Sequence, residues 1–248
     1  MLQLIRQKSV SLFLLFSLSV SIHLLSWFPE LVESWYSRPL YPAISGALRK
    51  IFQFLPFSAG DLFYLGLVLY LLWKTVSRIR QWRGEGFSWK HSGKPALSVV
   101  RFLLVLYIFF NALWGLNYNR MGIQSQMDFT REPYSKEELI QINQLLLDSV
   151  NYYKEIVIIK NLNYPPTRIL FKEAVSAYTG ASGKYTFLHY APAAVKRSLF
   201  NILGNYFGFS GYYNPFTGEA QVNTDVPEFL LPYVTCHEIA HQLGYAKE

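Results

Sequence analysis

The amino-acid sequence predicts a helical membrane region followed by an α+β domain. Three observations carry this. Long apolar runs are confined to the first 120 residues, a basic excess is confined to the same half, and the chain then changes to amphipathic and turn-rich segments. With 248 residues, 51% of them apolar, there is material for a core as well as for spans.

Val10 to Phe28 is 19 residues without a formal charge, close to the ~20 that cross a bilayer. Ile51 to Trp73 is 23 residues with one acid, Asp61, and one interruption, Pro56. Ala96 to Tyr118 is another 23, with one base, Arg101, near an end where its stem can snorkel. Trp27, Trp73, Trp114 and Tyr118 stand near the run ends, as interfacial belts do. Transmembrane helices are therefore expected near 10–28, 53–74 and 97–118, in a membrane region of residues 1–120. The rival reading, a buried core helix, is strongest for the second run, whose uncharged part is only Leu62 to Trp73. Arg6 and Lys8 before the first run also suit a cleaved signal peptide. The stretch is long, however, and no small-x-small site follows, so an uncleaved anchor is expected.

Charge position orients the spans. The stretch from Lys74 to Lys94 carries six bases against one acid, Glu85, while Arg38, Arg49 and Lys50 between the first two runs are offset by Glu30 and Glu33. The N-terminus and the 74–94 loop are thus expected on the cytoplasmic face, and residues 121–248 outside. The net charge of +7 does not point to nucleic acid. Residues 1–120 hold 13 bases against 4 acids, and residues 121–248 hold 10 against 12, so the excess reports topology.

Beyond residue 120, Asp128 to Tyr134 reads as an irregular lead-in. Ser135-Lys-Glu-Glu138 then matches a capping box. Leu139, Ile142, Leu146, Val150 and Tyr153 follow at steps of three and four, predicting an amphipathic helix over 135–156. Pro165 and Pro166 mark a loop, and Phe171 to Tyr178 predicts a second helix. Residues 180–193 carry no clear signal. Gly204, Gly208, Gly211 and Gly218 are expected to break any helix, leaving a hairpin-like pair that ends in a short strand, Glu219 to Asn223.

Chemistry enters at His237-Glu238-Ile239-Ala240-His241. On a helix, residues four apart share a face, so His237 and His241 can address one ion while Glu238 takes a proton from the water that the ion activates. Pro232 suits the first turn of that helix and Gly244 its end. Between them Glu238 is the only formal charge, which suits a buried site and disfavours a half-buried helix whose His residues merely hydrogen-bond. Zinc is the expected ion, and it needs a third protein ligand. Position 247, where one subclass places a third His, is Lys247. His189 is a candidate only if folding brings it near. Glu248 is the one downstream carboxylate, so the chain is expected to be a piece of a longer one, with the third ligand lost or at the cut edge. In zinc peptidases of this kind a strand just before the helix lines the cleft and can pair with an extended substrate. Tyr212, Tyr213, Glu219 and Asn223 are therefore candidate contacts to substrate or to the metal's ligands, with a plain surface hairpin the open alternative. Cys236 lies about 100° around the helix from His237 and is expected to be a packed neighbour.

Four segments in order carry a resemblance: Leu55 to Asp61, Trp114 to Tyr118, Gly211 to Asn223 and His237 to Gly244. They are similar to a bacterial membrane-protein family known as domain of unknown function 3810, grouped with the zincin-like metallopeptidases. The resemblance implies three spans and a zincin-like domain, with His237 and His241 as ligands and Glu238 as base. It also implies continuation past Glu248 into an acidic stretch able to supply the third ligand, and it leaves the substrate open. The expectation is an inner-membrane zinc metallopeptidase acting on peptide or protein outside the cytoplasm. The alternatives are action on a non-peptide substrate, or a metal-stabilised binding or structural protein. The oligomeric state is left open.

Overall fold

A computed structural model describes residues 2–85, 89–127 and 132–247, with side chains for 10–84, 97–127 and 132–247. Glu248 and residues 128–131 of the expected lead-in lie outside it, as do the side chains of Arg6, Lys8, Lys90 and Lys94, on which part of the orientation rests.

The chain opens with α1 (Leu2–Leu25), then α2 (Pro29–Val32) and a π-helical turn, Glu33–Ser37. α3 (Tyr41–Phe52), α4 (Ala59–Glu85) and α5 (Trp89–Leu113) follow. After two 3-10 turns come α6 (Lys136–Ile159), α7 (Thr167–Ser182), β1 (Val195–Arg197), α8 (Asn201–Phe207), β2 (Gly211–Asn214), β3 (Glu219–Val222) and α9 (Leu231–Gln242). Among the described residues the protein is mostly helical with one three-stranded sheet, ordered β1-β3-β2. β1 runs parallel to β3, and β2 antiparallel to it in register Gly211 to Val222.

Among the described residues one helix, Ala59–Gly84, is long and apolar enough to cross a membrane, and its most apolar window is wholly unburied. Val10–Leu25 and Pro29–Ser37 qualify only as a pair, bent by 106°. α5 is helical over Trp89–Leu113, its described apolar segment is Leu97–Leu113, and the expected third run leaves the helix before the 3-10 turn Gly115–Asn119. α4 begins at Ala59, not near 53, since Pro56 interrupts the run and Ser58 Oγ accepts the Asp61 amide at 3.1 Å.

The core crosses residue 120. Val32, Tyr36, Tyr41, Trp114 and Leu116 from the first half close around Tyr213 of β2. Two smaller clusters fasten α9. Leu231 and Val234 pack with Leu170 and Val222, and Ile239 packs with Ala174 and Tyr190. Burying Ile239 alone contributes roughly 2–3 kcal/mol.

Ser135 and Glu138 form the capping box of α6. The five apolar positions that predict this helix are nevertheless all exposed. Gly204 does not break a helix. It lies inside α8, where it lets Phe209 and Asn223 pack closely, and the helix ends one turn later at Gly208.

Candidate functional site

The site is built on α9, which starts with Pro232 in its first turn after a 3-10 turn at Glu228–Leu230. Its last carbonyls are held by other elements. Tyr41 and Ser45 hydroxyls from α3 donate to the Gln242 carbonyl at 3.0 and 2.7 Å, and the Trp114 indole donates to the His241 carbonyl at 3.1 Å. These groups satisfy acceptors that a helix end leaves open. Arg120 reaches the Leu243 and Gly244 carbonyls at 3.4 and 3.2 Å, lies over the Tyr245 ring and pairs with buried Glu33 at 2.8 Å. Gln242 is fully buried and fully used. Its Nε2 donates to the Gly218 and Ala194 carbonyls at 2.6 and 3.2 Å, and its Oε1 accepts the Tyr190 hydroxyl at 2.5 Å.

His237 and His241 meet edge to face one turn apart, with ring centroids 4.6 Å from each other and planes at 81°. Gly244 takes the left-handed conformation, φ 89°, and the reversed chain brings the Tyr245 carbonyl to 2.7 Å from His241 Nδ1. A carbonyl only accepts, so the neutral ring carries its proton on Nδ1 and its lone pair on Nε2. This is the arrangement of a metal-ligating histidine.

Glu238 is 2% exposed, and its Oε2 is buried with no hydrogen-bond partner among the described residues. Burial pushes its carboxyl up to about 8. Gly211 of β2 packs directly over it: a Cβ at Gly211 would stand 2.5 Å from Glu238 Oε1. Beside these groups a cleft of about 660 Å³ is lined by Gly211, Tyr212, Tyr213, His241, Trp114 and Tyr118, among others.

The four hairpin candidates are placed differently from one another. Tyr213 is buried, with its hydroxyl 3.3 Å from that of Tyr41, and borders the cleft. Tyr212 also borders the cleft while its hydroxyl bonds Asp61. Glu219 faces away, toward the start of α4. It accepts the Gly60 and Ala59 amides at 2.6 and 3.2 Å, and burial raises its carboxyl above the ordinary range. Asn223 holds α8 through Asn205 Oδ1 at 2.8 Å. The strand expected at the cleft, β3, is paired on both sides. The edge strand lining the cleft is β2, because the short β1 takes the other side of β3.

Zinc fits this donor set in part. Two imidazoles one turn apart and an orphaned buried carboxylate oxygen beside them suit it. Among the described residues, however, no three His, Cys, Asp or Glu side chains form a metal-holding group. His189 is exposed after a 3-10 turn, and Glu248 lies outside the described residues. Cys236 packs with the α9 core, and burial pushes its thiol up, away from nucleophile chemistry. The sequence reading missed Gly211, Tyr245, Gln242 and Arg120. Only Gly211, a glycine within the expected hairpin-like pair, carried a local signal, that of close backbone approach.

Among the described residues, the fold and site define a helix-rich protein with one long exposed apolar helix and a cleft bordered by His241 and by Gly211, which covers the buried Glu238. The chain belongs to the family described as protein of unknown function (DUF3810), which it matches over residues 36–248. No curated protein and no solved structure matches it.

Proposed function

We propose that the protein is an integral membrane zinc metallopeptidase of zincin type, hydrolysing peptide bonds on the outer side of the cytoplasmic membrane. The observation that carries this reading is Glu238, a carboxyl that stands between His237 and His241 on α9 and is buried directly beneath Gly211, which lines the cleft together with His241. Bound zinc would supply a Lewis acid that acidifies water and polarises a carbonyl. His237 and His241 would hold it, with His241 aimed by the Tyr245 carbonyl, and a third ligand would complete the set. Glu238 accepts the proton of the attacking water and delivers it to the leaving amine. A carboxyl near 8 exchanges a proton at neutral pH more readily than one at its ordinary value. The free edge of β2 offers backbone groups to an extended substrate.

The membrane part of the reading takes α1, α4 and α5 as three spans. The apolar, unburied length of Ala59–Gly84 supports the second, and the basic residues from Lys74 to Lys94 support a cytoplasmic loop after it. Incubation of the detergent-purified protein with a quenched fluorescent unfolded protein tests the activity. Wild-type protein is expected to release fluorescence, and Glu238→Gln to lose roughly 10²–10⁴-fold of the rate. Equal rates in the two would overturn the assignment.

A further inference from the structure

α8 is amphipathic with its two sides reversed. The side turned to the domain is polar. Asn201 Nδ2 donates to Thr224 Oγ1 at 3.0 Å and to Asp225 Oδ1 at 3.2 Å, and Asn205 Oδ1 accepts from Asn223 Nδ2 at 2.8 Å, with Gly204 buried between them. The side turned away is apolar. Ile202 is 70%, Leu203 49%, Tyr206 86% and Phe207 76% exposed, at helical spacings of one, four and five. A surface helix of a water-soluble domain does the opposite. Four large apolar side chains on two turns require an apolar medium or a partner.

The position of α8 names the medium. Just before the helix, the Leu199 amide donates to Asp61 Oδ2 at 2.5 Å, and Ser198 Oγ donates to the same oxygen at 3.3 Å. Asp61 lies in the first turn of α4, so α8 begins at the level where the long apolar helix begins. In the next turn of α4, Phe63 packs on Phe216 and Tyr64 on Tyr212, which keeps the hairpin at that level too. Arg197, exposed just upstream, suits a phosphate-rich headgroup layer.

We infer that α8 lies in the outer interface of the bilayer crossed by α4, with Ile202, Leu203, Tyr206 and Phe207 at the boundary between headgroups and acyl chains. The inference rests on reading α4 as a span. It makes α8 a lipid contact additional to the spans, one that fixes the tilt of the sheet, and hence of the cleft, over the membrane.

The test uses the whole protein in phosphatidylcholine vesicles, with Cys236→Ser as background and a polarity-sensitive fluorophore on Phe207→Cys, Leu71→Cys or Glu173→Cys. Lipids carrying a nitroxide near the headgroup or at the chain end serve as quenchers. The label at 207 is expected to show blue-shifted emission and stronger quenching by the shallow nitroxide than by the deep one. The label at 71 should show the reverse, and the label at 173, on the exposed polar side of α7, should serve as the control outside the bilayer. Quenching at 71 without quenching at 207 would overturn the placement of α8 and leave the span standing. Quenching at neither would overturn both. A label at 207 shielded from aqueous iodide, unquenched by lipid and cross-linking to a second chain, would assign the face to a protein contact and overturn the proposal.

Discussion

Glu238→Gln in the metal-free protein should change how stability depends on pH. The folded carboxyl sits at about 8 against an ordinary 4.5, and the cause is burial alone. A carboxyl raised on folding contributes fully below its unfolded value and loses that contribution as pH rises through the folded value. The wild-type protein should therefore lose stability from pH ~5 upward and level off above pH ~8. A rise of this size corresponds to about 5 kcal/mol between the limits, at 1.36 kcal/mol per pKa unit. Glutamine keeps the shape and cannot ionise, so the variant should match wild type near pH 5 and exceed it by about 3–5 kcal/mol at pH 9. For a chain of this length that is on the order of 10 °C in melting temperature. Thermal melts in detergent with a chelator, from pH 5 to 9, give the difference directly. Parallel curves for the two proteins would refute the reasoning, since Glu238 would then be solvated or paired and not poised in a dry wall.

Two further perturbations read the packing around that carboxyl. Gly211→Ala puts a methyl where Glu238 Oε1 lies, 2.5 Å away, and should cut peptide hydrolysis on the order of 10²-fold while leaving metal content unchanged; an unaltered rate would show that Gly211 does not position the base. Gln242→Leu removes three buried hydrogen bonds and strands the Gly218 carbonyl and the Tyr190 hydroxyl proton, while the Ala194 carbonyl keeps the Ala220 amide, so chemical denaturation should report a loss of about 2–4 kcal/mol. A change below ~0.5 kcal/mol would mean that water already serves those two groups.

Local rules found the parts whose cause is local. The Ser135–Glu138 box starts α6, Pro232 and Gly244 bound α9, and the glycine-spaced aromatics fold into the β2–β3 hairpin. The missed parts are set by residues far apart in sequence. α3 escaped because its buried stripe, Tyr41, Ser45 and Arg49, is polar and carries no apolar period. β1 is three residues long and exists because β3 offers it an edge. Glu219 looked like a cleft residue, yet its carboxylate caps α4 across 159 positions of sequence. In α8 the expected logic is inverted, with polar side chains inward and apolar ones outward, so neither glycine nor periodicity gave a usable signal. The His–Glu–His constellation was legible because its spacing on one helix is its geometry. The Tyr245 carbonyl that orients His241 depends on the backbone reversal at Gly244.

The central claim is that His237 and His241 hold a catalytic zinc beside Glu238. Metal content of the detergent-purified full-length protein, set against His241→Ala, tests it most directly. The account predicts about one zinc per wild-type chain, absent from the variant. Stoichiometric zinc in neither protein, or equal zinc in both, would contradict it.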